Sequence, residues 1–171
     1  YLQAAIAGED GYINTHSDMF NNSIGHGGGY SMVYRKTATM LYNLQYVLGD
    51  ELFSNAMKNY FNQWKFCHPY PEDFRNSVTQ TAKHDLTWFF DQWLETDKKL
   101  DYKICRVKPT DSSNTYSIRF KRKGKMQSPV DFTVYSQCGR QYSFHIPNKW
   151  FIKQTDATIL PKWEGWGKLR N

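Results

Sequence analysis

The sequence predicts an α+β protein in which a helical part precedes an antiparallel β part. Two observations support this class. Apolar residues repeat at helical spacing up to about residue 98, and after it they alternate with polar residues. The charge changes at the same place: residues 1–98 hold seven Lys and Arg against 11 Asp and Glu, whereas residues 99–171 hold 15 against five. We therefore predict two domains, 1–98 and 99–171.

The helical part is expected to begin after an irregular stretch. Gly and Asn are dense in residues 1–29, which disfavours a helix there. From 31 to 48 the apolar residues fall on one face at spacings of three and four, so we predict a helix that ends at Gly49. Asp50 is expected to cap the next helix, whose aromatic and aliphatic stripe is the strongest in the chain.

Two further helices are predicted after Pro71 and Asp85. Pro is tolerated in the first turn of a helix, and the acidic residues that follow Pro71 favour the positive end of the helix dipole. Asp85 precedes a run in which Leu, Phe and Trp recur at helical spacing, so it is expected to cap the fourth helix. Four helices with short connections predict a compact helical unit.

The β part is predicted from alternating runs near residues 116–121, 130–135 and 142–146. Turn signals separate them at 123–125 and 138–140. About five or six strands can be counted, which is few for a closed sandwich. We therefore predict an incomplete antiparallel sandwich.

Several kinds of site are disfavoured by the sequence. No run of about 18 apolar residues is present, so no membrane span is expected. None of the five histidines lies in an H-E-x-x-H motif, and none of the three cysteines lies in a C-x-x-C motif. A zinc site formed by this chain alone is therefore not expected. The histidines are His16, His26, His68, His84 and His145.

Four blocks of sequence, in order, carry a resemblance to a known family. The blocks are Y-R-K-T-A at 34–38 with L-G-D at 48–50, E-L-F at 51–53, P-E-D-F at 71–74, and D-L-T-W-F-F-D-Q-W at 85–93. Together they resemble the helices that follow the zinc site in aminopeptidase N-like zinc metallopeptidases, the gluzincins, whose signature is Y-x-K-G-[AS]. Thr37 stands at the Gly position of that signature, which is expected to alter helix packing more than chemistry.

The resemblance implies a fold and a function for the longer protein. The fold would be a thermolysin-like C-terminal helical subdomain followed by the start of an immunoglobulin-like β domain. The function would be zinc-dependent removal of N-terminal residues from peptides. By its position Tyr34 would be the catalytic tyrosine that donates a hydrogen bond to the oxyanion of the tetrahedral intermediate, with Tyr30 as the second candidate.

The zinc ligands of such an enzyme would lie in the remainder of the parent chain. We therefore expect no zinc bound by this fragment, and no activity from it in isolation. The resemblance is closest to large bacterial members of the family, so a periplasmic or other extracytoplasmic location is expected.

An alternative function is a non-catalytic binding module in the β half. Trp150, Trp163 and Trp166 lie close together in the sequence, and stacked Trp rings are able to bind carbohydrate, while exposed Trp and Tyr are also able to bind protein. A basic cluster at 119–125 is typical of nucleic-acid binding, but most of it surrounds a turn where solvated charge is common. We therefore expect no nucleic-acid partner.

Overall fold

A computed structural model of the chain describes residues 1–8, 10–16, 29, 31–112 and 115–148. Five α-helices occur in these ranges: α1 Leu2–Ala7, α2 Thr37–Leu48, α3 Asp50–Trp64, α4 Pro71–Ala82 and α5 Thr87–Leu94. A π-helical turn, Ser31–Lys36, leads directly into α2. The strands are β1 Tyr102–Pro109, β2 Tyr116–Arg122, β3 Val130–Tyr135 and β4 Gln141–Ile146.

The chain divides into two compact units, residues 1–126 and 127–171. The first unit contains all five helices and the β1–β2 hairpin, and the second contains the β3–β4 hairpin. The predicted α+β class is confirmed. The boundary at 98/99 stays a prediction about the domains of the whole protein.

The core of the first unit lies where α2 to α5 meet. Aromatic rings of α4 and α5 pack edge to face there: Phe74 lies 5.9 Å from Phe90, and Phe89 lies 5.4 Å from Phe90, between ring centroids. Edge-to-face packing places the positive ring edge against the negative ring face, which stabilises such pairs beyond their buried area. The buried core residues are Met40, Leu44, Ala56, Val78, Ala82, Leu86, Phe89, Phe90, Trp93, Leu94 and Met126.

The helix ends follow the predicted signals at Gly49 and Pro71, but neither of the two predicted Asp caps is an N-cap. Gly49 adopts a φ of +79°, which a residue with a side chain rarely adopts, and it separates α2 from α3. Asp50 is the first residue of α3 and does not cap it: its Oδ1 accepts a hydrogen bond from Gln45 Nε2 at 2.9 Å. Asp85 is not the N-cap of α5 either, because Leu86 holds that position. Its Oδ1 nevertheless accepts a hydrogen bond from the backbone N–H of Thr87, the first residue of α5, at 2.9 Å.

Residues 1–8 are less irregular than predicted. Helix α1 forms in its Ala-rich beginning, L-Q-A-A-I-A, and ends at Gly8 with a φ of +78°. Ala has the highest intrinsic helix propensity, and Gly in the left-handed region is a common helix end. The prediction was wrong here because the Gly and Asn content of the whole segment outweighed this short run.

In the described residues, the β part forms two antiparallel hairpins. Strand β1 pairs with β2, and β3 pairs with β4. Phe132 and Phe144 face each other across the second hairpin, with parallel rings 5.1 Å apart. Two small antiparallel sheets agree with the predicted incomplete sandwich. Within the described residues, no helix is long and apolar enough to cross a membrane.

Candidate active-site turn

The predicted catalytic residue, Tyr34, lies on the π-helical turn that precedes α2. Its side chain is 61% exposed, and the neighbouring side chains of Val33 and Arg35 are also exposed. Met32 and Lys36, at the two ends of the same turn, are buried. The turn therefore has a buried side and an exposed side, and Tyr34 lies on the exposed one. π-Helical segments are rare and frequently occur at functional sites.

The buried side of the turn is hydrogen-bonded to the backbone of Gly11. The Gly11 N–H donates to the Met32 sulfur at 2.9 Å, and the Gly11 carbonyl accepts a hydrogen bond from Lys36 Nζ at 2.5 Å. The backbone of Gly11 is therefore hydrogen-bonded to both ends of the turn that carries Tyr34. The Thr37 hydroxyl donates to the Met32 carbonyl at 3.2 Å, so this departure from the family signature contributes a bond between the first residue of α2 and the turn.

Lys36 also connects the turn to the end of α5. Its side chain is fully buried, and Nζ donates a second hydrogen bond to the Thr96 carbonyl at 3.1 Å. Nζ lies 4.0 Å from Asp10 Oδ2. Burial lowers the pKa of Lys36, whereas the carboxylates of Asp10 and Asp97 raise it and the ammonium of Lys99 lowers it. Three segments distant in sequence thus meet at one ammonium group.

Asp10 supplies the negative charge of this buried cluster. Its side chain is 1% exposed, and its Oδ1 lies 3.3 Å from Lys99 Nζ, which also donates to the Ala5 carbonyl. The Tyr1 hydroxyl donates to Asp10 Oδ2 at 3.1 Å. Burial and the Asp10 carboxylate raise the pKa of Tyr1, so its hydroxyl stays a donor at neutral pH. A carboxylate this deeply buried is stable only when it is paired in this way.

The other predicted site residues have different outcomes. Tyr30 lies outside the described residues, as do His26, Trp150, Trp163 and Trp166. No group of His, Cys, Asp or Glu in the part of the chain that the structure describes is arranged to hold a metal ion. The side chains present there do not fit a zinc site.

Sequence reasoning did not identify the role of Lys36 and Asp10. One signal for Lys36 exists, since it lies at a spacing of four within a stripe whose other members are apolar and buried: Met32, Met40 and Leu44. A charged residue at a core position of an amphipathic helix is a sign of a buried, paired group. Asp10 carries no comparable signal, because its neighbours in sequence form no regular pattern.

Comparison with known proteins identifies the segment that contains this turn. Residues 29–93 match the model described as "Peptidase family M1 domain". This range begins two residues before the π-helical turn and ends within α5. It includes the four sequence blocks named above, so the predicted resemblance to aminopeptidase N-like metallopeptidases is confirmed.

Two curated relatives agree with the family match. "Probable aminopeptidase 1" from Sulfurisphaera tokodaii is 24% identical over 139 residues, which cover 74% of this chain and 16% of the relative. "Aminopeptidase N" from Lactococcus lactis subsp. lactis is 31% identical over 65 residues, which cover 38% of this chain and 8% of the relative. The chain therefore spans a small part of the length of these relatives. No solved structure matches the chain.

Proposed function

We propose, from the premise that this chain belongs to the M1 peptidase family through residues 29–93, that it is part of a zinc-dependent aminopeptidase. The longer protein would remove N-terminal residues from peptides. This chain would supply Tyr34, and zinc would be bound by residues of the remainder of the protein. The β part would be the beginning of an immunoglobulin-like domain, and an extracytoplasmic location remains part of the proposal.

The observation that carries the proposal is the position of Tyr34 on a turn that hydrogen bonds to Gly11 hold in place. The hydroxyl of a tyrosine donates a hydrogen bond, so it stabilises the negative charge that develops on the carbonyl oxygen of a peptide under attack. Such a donor is effective when it does not have to reorganise during the reaction. The hydrogen bonds of Gly11 to Met32 and Lys36 restrict the turn on its buried side, which supports a preorganised donor on the exposed side.

The experiment that tests this proposal uses the longer protein that contains residues 1–171. Tyr34→Phe removes only the hydroxyl, and we expect kcat to fall about 10²- to 10³-fold with little change in KM, since the bond forms in the transition state. Tyr42→Phe is a matched control, because it removes the same hydroxyl from an exposed tyrosine of α2 that lies eight residues away in sequence. Equal activity of the Tyr34→Phe variant and the parent would contradict the assigned role.

A second experiment tests the division of the site between this chain and the rest of the protein. We expect the 1–171 chain alone to show no aminopeptidase turnover and to retain less than one zinc ion per chain after dialysis. Stoichiometric zinc retention would show that the chain holds ligands of its own. That result would overturn the assignment of zinc to the remainder of the protein.

The alternative, a binding module for carbohydrate or protein, is favoured by exposed aromatic residues of the second hairpin. Tyr135, Tyr142 and Phe144 are all exposed there. The family match ends before this hairpin and does not address it. Binding of an oligosaccharide by the 1–171 chain, lost in Tyr142→Ala, would support this function for the β half.

A further inference from the structure

The β1–β2 hairpin places five of its six cationic side chains on one face and its apolar side chains on the other face, which also carries Arg122 opposite Tyr102. In antiparallel strands, directly opposite residues lie on the same face, and successive residues of one strand alternate between faces. Lys103 is opposite Lys121, and Ile104 is opposite Phe120. After the terminal pair of Tyr102 and Arg122, the register thus continues with one cationic pair on one face and one apolar pair on the other.

A β-bulge keeps this separation along the length of the hairpin. The register shifts between Ile104 and Arg106, so that Arg106 is opposite Arg119 and not one position out of step. If Cys105 held a regular position in the register, strict alternation would place Arg106 on the same face as Ile104. The bulge therefore brings Arg106 to the cationic face, and the next residue, Val107, joins the apolar face opposite Ile118.

The result is a surface of five exposed cations that we name the basic face. Its members lie on both strands, and Ser117 completes it: Lys103, Arg106, Lys108, Arg119 and Lys121. No Asp or Glu lies in β1 or β2. Among the described residues, none of these five cations takes part in an ion pair. The basic face is therefore a concentrated positive charge with no counter-charge supplied by its own strands.

The arrangement of the basic face is unfavourable for the isolated hairpin. Lys103 is directly opposite Lys121, and Arg106 is directly opposite Arg119. Like charges in directly opposite positions destabilise a pair of strands. Isolated lysines on a sheet edge are explained by avoidance of unwanted strand pairing, but two opposed like-charge pairs are not. A polyanion bound to this face would relieve the repulsion.

The shape and chemistry of the basic face favour an extended, flat anionic partner. A two-stranded ribbon presents its long side chains in a shallow sheet, with same-face neighbours roughly 7 Å apart along a strand. Its aromatic residues, Tyr102, Tyr116 and Phe120, lie on the opposite face, so the basic face offers no ring on which a nucleobase would stack. Recognition by this face therefore depends on charge alone.

The charge distribution along the chain also favours a flat partner. Residues 1–98 carry a net charge of −4, whereas residues 99–171 carry +10. Residues 99–126, which contain the hairpin, hold nine Lys and Arg against two Asp, so an anionic surface attracts this segment whereas it repels residues 1–98. The screening length of about 8 Å at physiological salt confines the attraction to groups that lie close to the surface. The side chains of the basic face are exposed and are able to approach such a surface.

We propose that the basic face of the β1–β2 hairpin is a docking surface for an anionic lipid bilayer. The contact is peripheral: the ammonium and guanidinium groups approach lipid phosphates and no segment enters the hydrocarbon. Clustered cations of this kind attach proteins to anionic leaflets, and their contributions to the binding free energy add. Each cation near the surface therefore strengthens binding about fivefold. This surface is independent of Tyr34 and of the proposed peptidase activity.

The test is co-sedimentation of the full 1–171 chain with vesicles. One set contains equal parts of phosphatidylcholine and phosphatidylglycerol, and the other contains phosphatidylcholine alone. We expect binding to the anionic set only, and we expect it to disappear as salt is raised from about 0.1 M to about 1 M, which shortens the screening length from about 10 Å to about 3 Å. The triple variant Lys103→Gln, Arg106→Gln, Lys121→Gln should bind on the order of 100-fold more weakly.

A matched control removes the same net charge from the helical part. The variant Lys58→Gln, Lys65→Gln, Lys83→Gln changes three exposed cations of α3 and α4 or their ends, and it should bind almost as well as the parent chain. Circular dichroism of both triple variants checks that the fold is retained. Equal losses in the two triple variants, or no binding of the parent chain to anionic vesicles, would overturn the proposal. Tighter binding of a duplex oligonucleotide than of vesicles, lost in the hairpin variant, would assign the face to nucleic acid and also overturn it.

Discussion

Lys36 and the basic face of the β1–β2 hairpin place the same kind of charge in opposite environments. Lys36 is fully buried, and two carbonyls and a nearby carboxylate compensate its ammonium group. The five cations of the basic face are exposed, and two pairs of them are directly opposed. The role of a cation therefore depends on its surroundings: Lys36 holds segments of this chain together, and the basic face is suited to a partner from outside.

The buried cluster is expected to be sensitive to the loss of any one member. Removing water from an ammonium or a carboxylate carries a large penalty, which only complete pairing offsets. The net benefit of a buried ion pair is often small, but breaking it leaves an uncompensated charge and is strongly destabilising. Exposed cations carry no such penalty, because water solvates them in every state.

The largest expected effect is the loss of stability when Lys36 is changed. Lys36→Met retains an unbranched side chain but leaves the Gly11 and Thr96 carbonyls without their donor and removes one of the cations beside Asp10. We expect the free energy of unfolding of the 1–171 chain to fall by about 3 kcal/mol. Denaturant unfolding followed by circular dichroism measures this change.

The matched control for that variant is Lys121→Met, the same substitution on the basic face. Surface substitutions of this kind usually change stability by no more than about 0.5 kcal/mol. If Lys36→Met and Lys121→Met had similar effects, burial would not be what distinguishes the two regions. Burial of the Lys36 ammonium would then not account for its effect on stability.

Much of the helical architecture could be predicted from local patterns. The spacing of apolar residues indicated α2 and α3, and Gly49 and Pro71 marked helix ends where the structure has them. A role for Asp85 at the start of α5 was also predictable, since its hydrogen-bond partner Thr87 is only two residues away, although the N-cap itself is Leu86. In each case the determining interaction lies within a few residues in sequence, which is the range that periodicity and capping rules describe.

The fastening of the Tyr34 turn could not be predicted in the same way. Lys36 binds carbonyls that are 25 and 60 residues away in sequence. Backbone carbonyls belong to every residue type, so nothing in the sequence indicates that those of Gly11 and Thr96 will meet this ammonium group. The face assignment of Arg106 was hidden for a related reason, because strict alternation fails at a bulge.

A smaller effect is expected in the pH dependence of stability. Because burial lowers the pKa of Lys36 in the folded chain, the unfolded chain binds more protons at pH values between the lowered pKa and the ordinary value of 10.5. The free energy of unfolding therefore gains a contribution that rises with pH in this window, and Lys36→Met lacks it. We expect the stability difference between the parent chain and Lys36→Met to increase from about pH 7 to about pH 10.

Comparing the two proteins at each pH removes contributions that both share. The Tyr1 hydroxyl, whose pKa is raised, titrates in both chains and largely cancels in the difference. A stability difference that decreased with pH would mean that attraction to Asp10 outweighs burial at Lys36. The attraction to Asp10 would then have a larger effect on the pKa of Lys36 than burial has.

The smallest expected effect is a gain in stability when a like-charge pair of the basic face is reversed. Lys121→Glu places a carboxylate opposite Lys103 and exchanges repulsion for attraction, so the free energy of unfolding should rise by about 0.5 kcal/mol at low salt. Raising the salt to about 1 M should remove most of the gain, because exposed charges are screened. Thermal or denaturant unfolding at two salt concentrations measures both changes.

Lys123→Glu makes the same change of charge just after β2, where no residue is paired with it in the register. We expect it to change stability by much less than Lys121→Glu does. If both variants stabilised the chain equally, the gain would come from lower net charge and not from the opposed pair. If Lys121→Glu is the more stable protein and also binds anionic vesicles more weakly, the hairpin retains its opposed cations at the expense of its own stability, which is the expected property of a surface built to meet a partner.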